Sequence, residues 1–523
     1  MKQLDMVDAV IVGAGAAGSL MAAKLARAGK KVVVLEAGPP WQLRDLYSSE
    51  IWARRLKWNT SPVVGGGANP INVGFNIGGG LGGSALHHYA NWYRFHAGDF
   101  KERTLYGQNF DWPITYDDLR PWYDRIQSEV GVSGDAKAEI WRPPGAPYPM
   151  PPLPYFRQAE LIAGGFAALG IRTAPLPHAI NTVRYNGREA CLNDGWCDAG
   201  CPIGALANPL VTYLPQAKQA GAEFRTGARV TSIVTGPSGK RAAGAIYYGA
   251  GEQGYFQPAS VVILASFAIE TPRLLLNSAT TKFPQGLANS SGTVGCYLMP
   301  HISGVVYGLF DEDTQPYLGV TGGALTSQDS YDNKVKPDYF GSYQWMGAGA
   351  LKPNDVLGIA NARTDLFGAA LQSFVQTAVR GIGNMILLGE TRPQVDNRLT
   401  LSSQKDSLGV PLAQTTHAYD VDALTLFSSA TVEGVNVMKA AGATQAWAGA
   451  PQPQHILGGA RMGADPATSV TNSYGQTHDV ANLFVTGSSL FPTSAAVNPT
   501  FTIHALTFRA ADYLLKNWGA IAA

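Results

Sequence analysis

The stretch "DAVIVGAGAAG", residues 8–18, decides the fold. Ala9–Val12 is a short apolar run. Gly13, Gly15 and Gly18 follow in the pattern GxGxxG, and "SLMAAKLARAG" (19–29) continues with helical periodicity. A second apolar run, "KVVVLEAG" (31–38), reaches Glu36, 23 residues after Gly13. Strand, glycine turn, helix, strand and acid at these spacings predict a parallel βαβ unit that binds a dinucleotide. Gly13 permits the tight turn. Gly15 lets backbone amides approach a pyrophosphate at the helix N-terminus, and Gly18 lets helix and strand pack closely. Glu36 is expected to take the ribose hydroxyls. An acid there points to an unphosphorylated ribose, hence NAD or FAD, and the fingerprint does not choose between them. The cofactor-binding set also takes in Ala16, Ala37 and, further along, Val230.

Composition bounds the rest. At 523 residues the chain exceeds one ordinary core, so two domains or three lobes are expected. Apolar residues make up 46%, enough for a large core, while charged residues reach only 15%, against roughly 25% in ordinary soluble domains. A net charge of +1 gives nucleic acid no electrostatic footing. No apolar run reaches the ~18 residues of a membrane-spanning helix. The opening "MKQLDMVDAVIVGAGAAG" does not read as a signal peptide, because Asp5 and Asp8 interrupt it and its apolar part runs into the glycines. Export or membrane attachment is therefore expected only through a partner.

A second glycine run, "GGGLGGSALHHYANWYR", spans 78–94. Here the chain resembles the glucose–methanol–choline (GMC) oxidoreductases, FAD enzymes that oxidise alcohols. Their first signature reads like "GGxLGGSSxxN", and Gly79, Leu81, Gly82, Gly83 and Ser84 fit it. The resemblance implies an α/β fold: a Rossmann-type FAD-binding domain interleaved with an antiparallel-sheet substrate domain. It places Gly82, Gly83 and Ser84 against the flavin. In some members a histidine at the position of His87 is joined covalently to the flavin ring; the alternative is a histidine packed beside it. "AIETPRLLLNSA" (268–279) is similar to the second family signature and predicts a helix. "ANSSGTVGCYLMPH" (288–301) is similar to the segment leading into the substrate domain, and "NRLTLSSQKDSLGVPL" (397–412) to a family hairpin.

"HILGGARMG" begins at His455, and "AAVNPTFTIHAL" contains Asn498, 43 residues later. The resemblance makes His455 and Asn498 the catalytic pair. An imidazole with a pKa near 6.5 suits removal of a hydroxyl proton at neutral pH. An amide holds the hydroxyl or developing alkoxide without titrating. Pro499 and Asn498 are also expected at the cofactor. Gly487 stands where many relatives carry Asp, so its backbone or Ser488 is expected to make that contact. His504 reads as a packed histidine.

The chain has four cysteines, and three crowd into "CLNDGWCDAGC": Cys191, Cys197 and Cys201. The spacing is not that of a zinc knuckle. A disulfide would leave one thiol over. Thiols followed by Pro202 are a common setting for iron–sulfur ligation, with three ligands suiting a three-iron cluster or a four-iron cluster with one other ligand. The run is also similar to the branch of the family formed by catalytic subunits of bacterial dye-linked sugar dehydrogenases. That resemblance implies a 3Fe-4S cluster on these cysteines and electron transfer to a cytochrome c subunit or quinone. It also implies a small partner subunit with a twin-arginine signal, and so a periplasmic location; expressed alone, the chain is expected to stay cytoplasmic.

The expected organisation is an FAD domain from 1–110, 205–300 and 450–523, a cysteine-bearing excursion over 111–204, and a substrate domain over 301–449. Tyr343 and Trp345 could stack on a sugar face or belong to the core. The favoured function is oxidation of a sugar, sugar acid or glycoside CH–OH group by hydride transfer to FAD. The alternatives are an oxygen-using alcohol oxidase with structural cysteines, and a non-redox flavin-containing lyase or binding protein.

Overall fold

The computed structural model describes residues 1–49, 51, 54–57, 62–71 and 77–523. Val7–Val12 is buried along most of its length, which explains its near-continuous run of Val, Ile and Ala: a parallel strand is covered on both faces. It pairs in parallel with Val32–Leu35 on one side and with Gly254–Leu264 on the other. Helix Ala16–Arg27 makes the crossover, the predicted βαβ unit. Its small, buried residues let it lie close to helices Thr500–Lys516 and Tyr213–Gln219.

Gly254–Leu264 joins two regimes. Its C-terminal half runs parallel to Val7–Val12 and to Leu483–Val485. Its N-terminal half pairs antiparallel with Ala242–Tyr248, which in turn pairs with Arg229–Thr235. The sheet thus gathers strands from both ends of the chain and its middle.

A second sheet is antiparallel throughout, in the order Gln445–Ala448, Met299–Leu309, Ile382–Gly389, Tyr343–Gly347, Leu325–Ser327, Ala174–Pro175. Gln452–Leu457 also pairs with Met299–Leu309. Helix Val421–Ala440 packs against this sheet. Side chains alternate along a strand, so Tyr343–Gly347 sends its residues to opposite faces. Trp345 goes toward the helix, where its indole N–H donates to Glu433 Oε1 at 2.9 Å and its ring packs on Gly434. Tyr343 shares that apolar cluster. The two aromatics are core, and Gln344 and Met346 take the other face.

The predicted helix is found at Phe267–Asn277, and the predicted hairpin as strands Arg398–Lys405 and Pro411–Thr416. Val63–Gly66 pairs in parallel with the second of these.

One buried ammonium joins the regions. Lys334 Nζ lies 2.9 Å from Asp99, 2.6 Å from Glu102 and 3.0 Å from Glu390, with all four residues buried. Burial, then the charge of Glu390, pushes the Glu102 carboxyl well above its usual range. Against its own burial, Lys334 holds Glu390 below it. Asp99 also accepts the Tyr331 hydroxyl, which accepts the Ala496 N–H. The cluster therefore braces the chain just before Asn498. Removing one member of a buried ion cluster leaves uncompensated charge, costing about 3–5 kcal/mol. Lys334→Met is expected to lower the thermal midpoint by several degrees; a midpoint equal to wild type would show that the cluster does not brace the fold.

Candidate active site

The two glycine runs and the N-terminus of helix Thr500–Lys516 meet around a cavity of ≈ 410 Å³. One end is built from backbone. Gly13 has φ +100°, and a Cβ there would come 2.6 Å from Ala265 O. A Cβ on Gly83 would come 3.0 Å from Gly15 Cα, so the runs touch with no side chain between them. Glu36 ties the loops together: Oε2 accepts the Ala14 N–H at 2.9 Å, and Oε1 accepts those of Gly38 at 2.8 Å and Gly80 at 3.0 Å. Burial raises its carboxyl, and the backbone hydrogen bonds oppose the rise. Glu36 lines the cavity, so ribose hydroxyls would join a set of partners the carboxylate already has.

Ala16 and Ala37 line this end, with Val230 from strand Arg229–Thr235. Gly18 and Gly82 sit behind the wall: Gly18 packs on the Gly13 carbonyl, and the Gly82 N–H donates to Ala14 O at 3.0 Å. Ser84 Oγ accepts the Gly78 N–H at 3.0 Å, and buried His87 lines the wall beside it. Gly487, Ser488, Asn498 and Pro499 close the far side. Helix Thr500–Lys516 opens there with no side-chain cap, leaving its first amides and dipole for a negatively charged group. The cradle of glycines, free of Cβ atoms, with a helix N-terminus opposite, fits an FAD.

The other end of the cavity holds His455. Met299 pairs with Leu457 and His301 with Gln454, so His455 and Ile456 together face Pro300. This bulge puts His455 at φ +50° and re-aims its ring. His455 Nδ1 lies 3.1 Å from His301 Nδ1. His301 Nε2 lies 3.0 Å from Ser494 O and 3.1 Å from Ala495 O. Carbonyls only accept, so His301 carries its proton on Nε2 and presents a lone pair at Nδ1. His455 must then carry its proton on Nδ1 and donate it. Its Nε2 is left as a lone pair.

Asn498 meets that lone pair, Nδ2 to Nε2 at 3.4 Å. Gln344 Nε2 donates to Asn498 Oδ1 at 3.3 Å, and Gln328 Nε2 to Gln344 Oε1 at 3.0 Å. The buried amides thus fix which end of Asn498 points at His455. Burial, then His301, pushes the His455 imidazole down to about 3; burial pushes His301 to about 4. Both rings are neutral at pH 7. The structure brings the sequence-predicted His455 and Asn498 together and adds His301, Gln344 and Gln328, which the motifs did not point to. The available signal was a histidine inside the apolar strand Met299–Leu309, which a buried strand does not hold without a partner. His504 is packed as expected, its Nδ1 2.8 Å from Thr500 O and its ring on Trp92.

The cysteine loop approaches the cavity at Tyr89. All four cysteines are free. Burial pushes Cys191 up to about 11 and Cys197 up to about 12. Each thiol lies within electrostatic reach of others in the loop, and two buried cations act on them: Arg188 on Cys201 and Lys352 on Cys197. Tyr89 lines the cavity and also feels Cys197. Among the described residues no three His, Cys, Asp or Glu side chains converge closely enough to grip a single metal ion.

The N-terminal family model of GMC oxidoreductases matches residues 7–303, and the C-terminal one residues 393–507. The chain is a GMC oxidoreductase. It is 32% identical to 2-methyl-1,2-propanediol dehydrogenase of Mycolicibacterium austroafricanum, covering 99% of this chain and 96% of the relative. It is 31% identical to the fructose dehydrogenase large subunit of Gluconobacter japonicus, covering 98% of each. Among solved structures, formate oxidase of Aspergillus oryzae superposes with a TM-score of 0.68 at 15% identity, covering 99% of each chain, which shows the shared fold. As a GMC oxidoreductase the protein is an FAD-dependent enzyme acting on CH–OH donors.

The buried histidines of this GMC oxidoreductase carry a pH consequence. Burial holds His178 at about 3 and His301 and His504 at about 4, against 6.5 in an unfolded chain. Above pH ~6.5 neither state binds these protons. Below it the unfolded chain binds them first, so each histidine removes about 1.4 kcal/mol of stability per pH unit until its folded value is reached. The melting midpoint is expected to fall steadily between pH 6.5 and 5, and a flat profile would contradict this.

Proposed function

We propose that this GMC oxidoreductase is a dehydrogenase that oxidises a CH–OH group of a sugar, sugar acid or glycoside, with His455 as the base. The observation that supports it most is the His455 Nε2 lone pair, which the hydrogen bond at Nδ1 leaves as an acceptor at the cavity wall, shared only with Asn498 Nδ2 at 3.4 Å. A substrate hydroxyl placed there gives its proton to Nε2. Asn498 Nδ2 holds the hydroxyl oxygen as negative charge develops. Met346 and Ile386, directly opposite each other on neighbouring strands, line the cavity with apolar surface and limit water. FAD, when bound, supplies the hydride acceptor. The relatives named for a diol and for fructose support a polyhydroxylated substrate.

The same reading assigns the cysteine loop to a 3Fe-4S cluster. Each thiolate of such a cluster binds a different iron, so the sulfurs need not converge as they do on one ion. Supporting it are three thiols on one loop, the cations Arg188 and Lys352 to balance their charge, and Tyr89 between loop and cavity. The cluster would pass electrons singly to a cytochrome c subunit or quinone. A relative named as a large subunit supports a multi-subunit enzyme. In this reading a small subunit with a twin-arginine signal carries the folded chain to the periplasm, and the chain alone stays cytoplasmic. No helix among the described residues is long and apolar enough to cross a membrane. His87 is assigned to the flavin, joined to it or packed against it; an acid-precipitated pellet without yellow colour removes the covalent form.

His455→Ala should slow anaerobic bleaching of the flavin by sugar about 10²-fold or more with flavin content unchanged. Near-wild-type bleaching would overturn the assignment. Cys197→Ser should lose iron and cytochrome reduction while sugar still bleaches the flavin. Full iron content, or undiminished cytochrome reduction, would overturn the cluster.

A further inference from the structure

His301 is more than a prop for His455. Orienting an imidazole N–H needs only an acceptor, and a carbonyl would serve. Here the acceptor is a second imidazole nitrogen, 3.1 Å away, which can also take the proton. We propose that His301 is a second proton carrier of the site: as His455 Nε2 takes the substrate's hydroxyl proton, the proton on His455 Nδ1 crosses to His301 Nδ1. The inference rests on His455 being the base.

The step balances. The substrate O–H bond breaks and an Nε2–H bond forms on His455. The Nδ1–H bond of His455 breaks and an Nδ1–H bond forms on His301. The hydride leaves with its electron pair for the flavin. His455 returns to neutrality as the other tautomer, and the one added positive charge rests on His301.

The surroundings favour the charge there. His301 Nε2–H already points between the Ser494 and Ala495 carbonyls, and such bonds strengthen when the donor is charged. The carboxylate acting on His301 is Glu390, at the end of strand Ile382–Gly389 and held by Lys334 and Ser342. From strand Gln452–Leu457 the facing titratable group is His455 itself. Tyr419 reaches the His301 backbone carbonyl at 3.4 Å, not its ring. His455, by contrast, faces Asn498 and the cavity, and among the described residues no carboxylate acts on it.

Three measurements on the FAD-loaded enzyme decide this. With ¹⁵N-labelled histidine and no substrate, NMR should show His455 protonated on Nδ1 and His301 on Nε2. A His455 proton on Nε2 would overturn the proposal. In H₂O–D₂O mixtures the rate of anaerobic flavin bleaching in the wild type should follow a curved proton inventory, because two protons move together; a straight line would overturn it. His301→Asn keeps an oxygen that can accept the His455 N–H but cannot carry a proton. It should bleach about 10- to 100-fold more slowly, the scale for outer partners that tune a histidine, with a straight inventory. A wild-type rate in His301→Asn reduces His301 to an orienting role and overturns the proposal. Should that variant lose its flavin, the wild-type inventory alone decides. If His455→Ala bleaches normally, it is the underlying reading that fails; if His455→Ala is slow and His301→Asn is not, the relay alone fails.

Discussion

One buried carboxylate organises the cofactor end of the molecule. Glu36 accepts amides from Ala14, Gly38 and Gly80, which lie on three separate turns. That arrangement requires the turns to approach backbone to backbone. Gly13 and Gly83 make it possible, because a Cβ on either would collide or crowd its neighbour. The glycines and the acid are thus a single constraint. The acid supplies the attraction that draws the loops in, and the missing side chains supply the room.

At the other end, geometry comes from a strand irregularity. The bulge opposite Pro300 rotates His455 out of the alternation of its strand. Left-handed backbone at a non-glycine residue costs on the order of 1–3 kcal/mol and persists only where surroundings hold it. His301 on one side and the chain of Gln328, Gln344 and Asn498 on the other provide that hold. Every hydrogen in these contacts has one allowed direction, set by the two carbonyls at Ser494 and Ala495. The tautomer of His455 follows from groups two contacts away from it.

The buried charges serve the same stretch of chain. Lys334 with its three carboxylates, through Tyr331, fixes Ala496 and so the approach to Asn498. Its Glu390 is also the carboxylate that acts on His301. Stability and site electrostatics are therefore carried by shared groups, in a chain whose charged fraction is only 15%.

Local rules sufficed where one residue has one mechanical task. The turn at Gly13, the helix after it, the acid at Glu36, the helix near 268–279 and the hairpin near 397–412 were all legible, since each rests on φ freedom, periodicity or turn chemistry over a few neighbours. The motif contexts singled out His455 and Asn498, and the fold sets their side chains next to each other. The tertiary structure alone decided the rest, because those properties depend on partners far apart in the chain. Tyr343 and Trp345 could not be placed from sequence, as alternation says that they share a face but not which of the two buried faces meets the helix and which the cavity. Glu36 as a knot of loops needed Gly80, and Gly82 proved to brace Ala14 from behind the wall. His301 became part of the site only when strand Met299–Leu309 paired with Gln452–Leu457 and brought two imidazoles, 154 residues apart, within hydrogen-bonding distance.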